Sequence, residues 1–212
     1  MGCFIVFEGG DGSGKSLQIS LLKTALENNG FSVFVAREPG GPEFAEEIRK
    51  LLLDPRFKGK VCSRAEMFLY MASRAQHTEE WIMPKYKGYD FYISDRYALS
   101  SVAYQGYGRN LLEEVNTCNR IATQNIIPNI TFVIDVDAAR SMAKITSKEF
   151  GEKDRLELEP ASFHEKVYQG FVKEALASPD RIKIIQYIDG HPEQMHEQIL
   201  GYVLGLIENK KK

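Results

Sequence analysis

Cysteine is scarce and carries no pattern: Cys3, Cys62 and Cys118 are odd in number, far apart and without a C-x-x-C pair. That excludes a disulfide framework and a zinc ribbon, and it suits a reducing compartment. Long apolar runs are missing as well. None approaches the roughly 18 residues of a membrane-spanning helix, so no membrane partner is expected. Phe4–Phe7 is too short for the apolar core of a signal peptide. Met1-Gly2-Cys3 opens like an N-myristoylation signal, but Val6 stands where Ser or Thr is required. A cytoplasmic protein is expected. Basic charge is not in excess: 27 Lys and Arg face 29 Asp and Glu, a net charge of −2. Nucleic acid is therefore not an expected partner, because binding a phosphate backbone demands a strongly positive face. Histidine is sparse, and His191 and His196 are five apart, the wrong spacing for one helix face. No repeat and no low-complexity linker interrupts the chain. Its 212 residues suit one domain over 1–212, with Lys210-Lys211-Lys212 as a frayed tail.

What is present is a phosphate-binding loop. Residues 9–16 read Gly9-Gly10-Asp11-Gly12-Ser13-Gly14-Lys15-Ser16, a full G-x-x-x-x-G-K-[ST] pattern. The apolar run Cys3-Phe4-Ile5-Val6-Phe7 before it reads as a buried strand, and Leu17, Leu21, Leu22 and Leu26 after it read as a helix. Strand, loop and helix N-terminus together make an anion cradle, in which backbone N–H groups and the helix dipole hold phosphate. Gly10 through Ser16 are the phosphate-binding candidates. Lys15 reaches the β- and γ-phosphates, and the Ser16 hydroxyl is a ligand for Mg²⁺. Gly12 and Gly14 tolerate the left-handed backbone that such a loop needs. ATP or GTP is the expected ligand.

Strand-like runs recur at Phe4–Phe7, Ser32–Ala36, Phe91–Ile93, Ile130–Ile134 and Ile182–Gln186. Helical patterns lie at Leu17–Asn28, Glu43–Leu53, Arg64–Lys85, Leu111–Asn125, Ala138–Thr146, Phe163–Ala177 and Pro192–Asn209. Such alternation predicts an α/β, three-layer P-loop NTPase fold: a five-stranded parallel sheet flanked by helices, with ligands beyond the carboxyl ends of the strands. The polar stretch Thr146–Glu159 reads either as a solvated loop or as a mobile lid over the phosphates.

Four further clusters carry chemistry. Arg37-Glu38-Pro39-Gly40-Gly41 follows the second strand, where a loop aims Arg37 at the site or simply turns. Arg49, on the next helix, reads as a surface arginine. Tyr70 and Arg74 are i and i+4 on one helix and share a face. A ring beside a guanidinium suits a nucleobase, although a core tyrosine with a surface arginine reads the same way. Asp95-Arg96-Tyr97 follows the third strand. Asp95 is placed to orient hydrated Mg²⁺ and Arg96 to bind an acceptor phosphate bidentately, with a structural ion pair as the alternative. Arg155, in Asp154-Arg155, either stabilises a transferring phosphoryl group or pairs with Glu157 or Glu159.

Taken together, these motifs resemble the thymidylate kinase family. The similarity runs through Phe7-Glu8-Gly9 to Ser16, Arg37 to Gly41, Leu51-Leu52-Leu53, Glu66 with Tyr70 and Arg74-Ala75-Gln76, and Asp95-Arg96-Tyr97. It continues through Ser100-Ser101, Ala103 to Gly106, Asp154 to Glu157 and Phe163 to Val167, nearly the whole chain in the family's order. The resemblance implies transfer of the γ-phosphoryl of Mg-ATP to dTMP, giving dTDP, by a homodimer. It implies that Asp11 contacts the deoxyribose 3′-OH, Tyr70 stacks on thymine and Arg74 reads a thymine carbonyl. Arg96 with Arg37 grips the dTMP phosphate, and Ser101 and Gln105 face the base edge. Tyr104 approaches C2′, and Asp95 with Ser16 serves the metal. The catalytic set is then Lys15 and Arg96 with a lid cation. One branch of the family carries an arginine inside the phosphate loop, and here Asp11, Gly12 and Ser13 supply none. The other branch uses an arginine-rich lid, but lysines stand here, at Lys144, Lys148 and Lys153. Lys148 and Arg155 are the expected lid cations, and Lys144 is placed to flank adenine. A kinase for another nucleotide or nucleoside on the same fold is the alternative, but a nucleoside acceptor would not need Arg37 and Arg96. A GTP switch would want an Asn-Lys-x-Asp motif, and the chain has none.

Overall fold

The computed structural model describes residues 2–136, 143, 146–147 and 153–210. Five strands, β1 (Cys3–Glu8), β2 (Val33–Arg37), β3 (Phe91–Asp95), β4 (Ile130–Asp135) and β5 (Ile182–Gln186), form one sheet in the order β2-β3-β1-β4-β5. Every pair is parallel. All six residues of β1 are buried. A central strand covered on both faces needs a continuous apolar run and not an alternating one, which is what its sequence supplies.

The two faces of β1 pack into different halves of the core. Cys3, Ile5 and Phe7 meet Ile19, Leu22 and Leu26 of α1 (Lys15–Asn28) and Met195, Ile199 and Val203 of the C-terminal helix, α8 (Pro192–Lys210). Phe4 and Val6 meet Ile82, Tyr86, Tyr92 and Tyr97 on the opposite face. This is the period-two alternation of a strand placed between two helical layers. Between the strands lie α2 (Glu43–Leu53), α3 (Ser63–His77), α4 (Met83–Gly88), α5 (Ala98–Ser101), α6 (Leu112–Ala122) and α7 (Ala161–Ala177). Among the described residues no helix is long and apolar enough to cross a membrane.

The register decides where the site lies. Phe7 pairs with Asp95, and Asp95 pairs with Arg37. The carboxyl ends of β1, β3 and β2 are therefore level, and the three loops that follow them open on one edge of the sheet. Helix boundaries depart from the sequence pattern in three places. The run Arg64–Lys85 is not one α-helix, because a wide π turn at Thr78–Ile82 separates α3 from α4. Pro84 has no N–H for a carbonyl one turn back, and the wider turn absorbs the mismatch. The run Leu111–Asn125 ends at Ala122, and Gln124 and Asn125 turn left-handed, with φ of +50° and +59°. A helical stretch that the sequence pattern did not indicate covers Ala98–Ser101 and a second π turn at Val102–Tyr107. The helix expected over Ala138–Thr146 falls mostly outside the described residues.

Candidate active site

The phosphate loop joins β1 to α1. Gly14 sits at the start of α1 with φ +91°, a left-handed turn that few side chains accept. Lys15 is buried and folds back over its own loop. Its Nζ donates to the carbonyls of Gly9 (3.1 Å) and Gly10 (2.8 Å) and to Ser13 Oγ (3.4 Å). Burial, helped by the charge of Arg96, pushes the Lys15 amine down to about 8 against the pull of Asp11, Asp95 and Glu8.

Arg96 stands where β3 ends beside the loop, with φ +70°, a backbone region uncommon outside glycine. Its N–H donates to Phe7 O at 2.9 Å. Its guanidinium bonds Gly9 O (3.0 Å), Asp11 Oδ1 (2.6 Å) and Ser100 Oγ (3.2 Å) and lies over the Tyr104 ring. This turn is held from beneath by Glu8, which sequence reasoning passed over. Fully buried, Glu8 accepts from the N–H groups of Tyr97 (2.9 Å) and Ser100 (3.0 Å) and from the Ser100 hydroxyl (2.6 Å). Burial raises its carboxyl, and the charge of Arg96 works against that rise. In the sequence Glu8 stands as an acid at the end of an otherwise apolar strand, inside the motif that carries the family resemblance but with no role of its own.

Two cavities meet at this turn. One is lined by Asp11 through Leu17 with Arg37, Glu38, Arg49, Asp95 and Arg96. The other is lined by Asp11, Tyr70, Arg74, Arg96, Ser101, Tyr104 and Gln105, together with Glu38, Arg49 and Asp154. The structure thus gathers into one cavity every residue expected around an acceptor nucleotide except Arg37. Arg37 lies instead in the phosphate-loop cavity, half exposed and paired with Glu46 at 2.9 Å. Arg49 lines both cavities and donates to Pro39 O at 2.9 Å, so it is not the surface arginine that its helix position suggested.

The Glu38–Gly41 loop is clamped by α3. Ser73 Oγ accepts from Gly40 N–H (3.2 Å), and His77 Nδ1 bonds Gly40 O (2.7 Å) while its Nε2 bonds the Tyr92 hydroxyl (2.7 Å). A carbonyl only accepts, so the His77 proton sits on Nδ1. Gly41, at φ +98°, leaves no space for a side chain: a Cβ there would stand 2.8 Å from His77 Nδ1. Between these contacts Arg74, 2% exposed, donates to Glu38 (2.8 Å), Ser101 Oγ (2.8 Å), Asn119 Oδ1 (2.7 Å) and Tyr97 O (2.9 Å). Losing either partner of such a buried pair strands a charge, at a cost of about 3–5 kcal/mol. Tyr70 is buried beside this network, and burial pushes its hydroxyl well above the ordinary tyrosine range.

Of the stretch 146–159, expected as a solvated loop or a lid, residues 146–147 and 153–159 are described, and part of it is not solvated. Arg155, Leu156 and Glu157 are buried. Arg155 pairs neither with Glu157 nor with Glu159, the partners weighed from the sequence. Its NH1 meets Glu66 Oε2 at 2.6 Å, its Nε donates to Leu52 O at 2.7 Å, and its backbone N–H donates to Leu53 O at 2.9 Å. Glu66 also takes Arg109 and, at 2.9 Å, Gln105 Nε2. Burial works to raise the Glu66 carboxyl, but the bonds from Arg109, Gln105 and Arg155 outweigh it and hold the group below its usual range. Lys148, Lys144 and Arg140 lie outside the described residues.

The metal candidates fit the ion. Asp95 Oδ1 is buried with no hydrogen-bond partner among the described residues, and Ser16 lines the same cavity. An open carboxylate oxygen near a hydroxyl and a phosphate loop suits Mg²⁺, which keeps most of its own water. Among the described residues no group of three or more His, Cys, Asp or Glu gathers to hold another kind of metal.

The chain as a whole is similar to known proteins. The family model described as thymidylate kinase matches residues 7–199. The chain is 42% identical to the thymidylate kinase of Lactobacillus delbrueckii subsp. bulgaricus over 91% of each chain. It is 40% identical to that of Halothermothrix orenii over 97% of this chain and 98% of the relative. The crystal structure of thymidylate kinase from Ehrlichia chaffeensis superposes with a TM-score of 0.72 at 29% identity, covering 95% of this chain and 98% of that one. With the family's pattern matched across most of its length, on a phosphate-loop fold that the solved relative shares, the chain belongs to the thymidylate kinase family.

Proposed function

We propose that the chain transfers the γ-phosphoryl group of ATP to dTMP, giving dTDP. The observation that carries this reading is the shared wall of the two cavities. Asp11, Arg49 and Arg96 line both, so a donor phosphate on the loop and an acceptor phosphate beneath Arg96 would meet there. Such chemistry is mostly positioning and charge stabilisation. Lys15 and Arg96, which both donate to the Gly9 carbonyl, supply neighbouring fixed cations, and half-exposed Arg37 adds a third. Tyr70, Arg74, Ser101, Tyr104 and Gln105 receive the nucleoside, with Asp11 toward its sugar. Mg²⁺, held through Ser16 and Asp95, would neutralise charge on the β- and γ-phosphates. The reading also carries a homodimer and a cytoplasmic location. Exposed Phe44, Leu51 and Phe68 on α2 and α3 offer apolar surface for a second copy. Arg155 would have to leave Glu66 and Leu52 to reach a phosphoryl group, so the proposal for a lid cation rests mainly on Lys148.

The test is ADP release with ATP and a panel of dTMP, dUMP, dCMP, dGMP and thymidine. The highest kcat/KM is expected for dTMP. Thymidine phosphorylated as well as dTMP would mean that Arg37 and Arg96 hold no acceptor phosphate, and would overturn the reading.

A further inference from the structure

We propose that Glu66 is a positioning residue that sets base specificity by fixing which end of the Gln105 amide faces the acceptor cavity. The inference rests on the thymidylate reading and deepens it. Glu66 is 1% exposed and lies at the first turn of α3. Its Oε1 receives Gln105 Nε2 at 2.9 Å and Arg109 Nε at 3.2 Å. Its Oε2 receives Arg155 at 2.6 Å and Arg109 at 3.1 Å.

An ionised carboxylate only accepts hydrogen bonds, and an amide has one accepting and one donating end. The Gln105 NH₂ must therefore turn to Glu66. Gln105 lines the acceptor cavity along with Arg74, and its remaining end there is the carbonyl oxygen. The cavity then offers an acceptor from Gln105 beside a donor from Arg74. That pair complements a pyrimidine imide, whose N3–H donates and whose C4 carbonyl accepts. Cytosine is mismatched twice, with a ring nitrogen lone pair facing the Gln105 carbonyl and an amino group facing a cation. Sites built to bond a substrate N–H reject analogues lacking it strongly, because buried polar groups are left unpaired.

The experiment compares kcat/KM for dTMP and dCMP in the wild type and in Glu66→Gln. A glutamine at 66 can donate as well as accept, so the Gln105 amide becomes free to turn its NH₂ toward the base. One cytosine mismatch then disappears while the Arg74 mismatch remains. The dTMP:dCMP ratio is expected to fall by about tenfold or more. A purely structural Glu66 would lower both values together and leave the ratio unmoved, which would overturn the inference. Glu66→Asp, which keeps the charge for Arg109 and Arg155, should hold a ratio closer to that of the wild type.

Because Glu66→Gln strips charge from a buried cluster, its folding is checked by thermal melt, and a second measurement needs no change at Glu66. In the ¹⁵N-glutamine-labelled wild type, the Gln105 side-chain protons are identified by their loss in Gln105→Met. They should resist exchange before dTMP is added, as protons held by Glu66. Protection that appears only with dTMP would place the NH₂ on the base and overturn the inference. A wild type without preference for dTMP over dCMP would sink the thymidylate reading along with it. A wild type that prefers dTMP, with a ratio unmoved in Glu66→Gln, would sink the role of Glu66 alone.

Discussion

Lys15 is a charge held in an unfavourable place. Burial and the neighbouring Arg96 favour its neutral form, and three carbonyl or hydroxyl oxygens of its own loop hold it in position. Phosphates bound on the loop, as proposed, would reverse that balance and raise its pKa. The sign of the pH dependence follows: ATP affinity is full below about 8 and falls as pH rises, up to about tenfold per unit, toward the raised value in the complex. Between those two values, ATP binding takes up a proton. Calorimetric titrations at pH 9 in buffers of different ionisation enthalpy should therefore detect proton uptake. Lys15→Ala should show none and should lose turnover by orders of magnitude with the fold intact. Equal heats in all buffers for the wild type would mean that Lys15 does not meet the phosphates.

At the scale of elements, α3 organises the cavity proposed for the acceptor. From one helix, Ser73, Arg74 and His77 hold Gly40 and Glu38, and Glu66 holds Gln105 and the end of the lid segment. Lys148 and Arg155, the two residues proposed as lid cations, should respond differently to removal. Arg155→Ala takes one buried partner from the Glu66 carboxylate, leaving Arg109 and Gln105, and should cost about 1–3 kcal/mol of stability, seen as a lower melting temperature. Lys148→Ala, if Lys148 is the lid cation proposed above, should lower kcat with little change in dTMP affinity, because a cation that engages only in the transition state contributes mainly there. Single-turnover rates and thermal melts of both variants check this. A Lys148→Ala enzyme with wild-type single-turnover rate would remove it from the catalytic set.

For the whole molecule, the cavities proposed for the two ligands both open on loops that leave one edge of a single sheet. Each ligand should therefore stabilise the entire domain. A ligand at about 100 times its Kd adds about 2.7 kcal/mol, which for a domain of this size is about 5–10 °C in Tm. An ATP analogue and dTMP together should raise Tm beyond either alone. If dTMP has no effect while another monophosphate does, the acceptor assignment is wrong. A homodimer would add a rise of Tm with protein concentration.

The sequence by itself determined what is local. The phosphate loop was legible because its chemistry lies in consecutive backbone N–H groups, glycines at set spacing and one lysine, all within residues 9–16. The five strands were legible because a fully covered parallel strand must be a short apolar run bounded by turns. Tyr70 and Arg74 could be paired from helical spacing alone. Tertiary structure decided the rest. Only the strand order brings Phe7, Arg37 and Asp95 level and so creates the shared wall between the cavities. Glu38 and Arg74 are 36 positions apart, and Glu66 and Arg155 are 89. An acid's partner depends on distance in space and on exclusion of water, and neither is written in sequence spacing. For that reason the pairing weighed for Arg155 beside its role as a lid cation was with acids near it in the chain, Glu8 received no role of its own, and the π turn at Val102–Tyr107 that carries Tyr104 and Gln105 into the cavity showed no periodic signal.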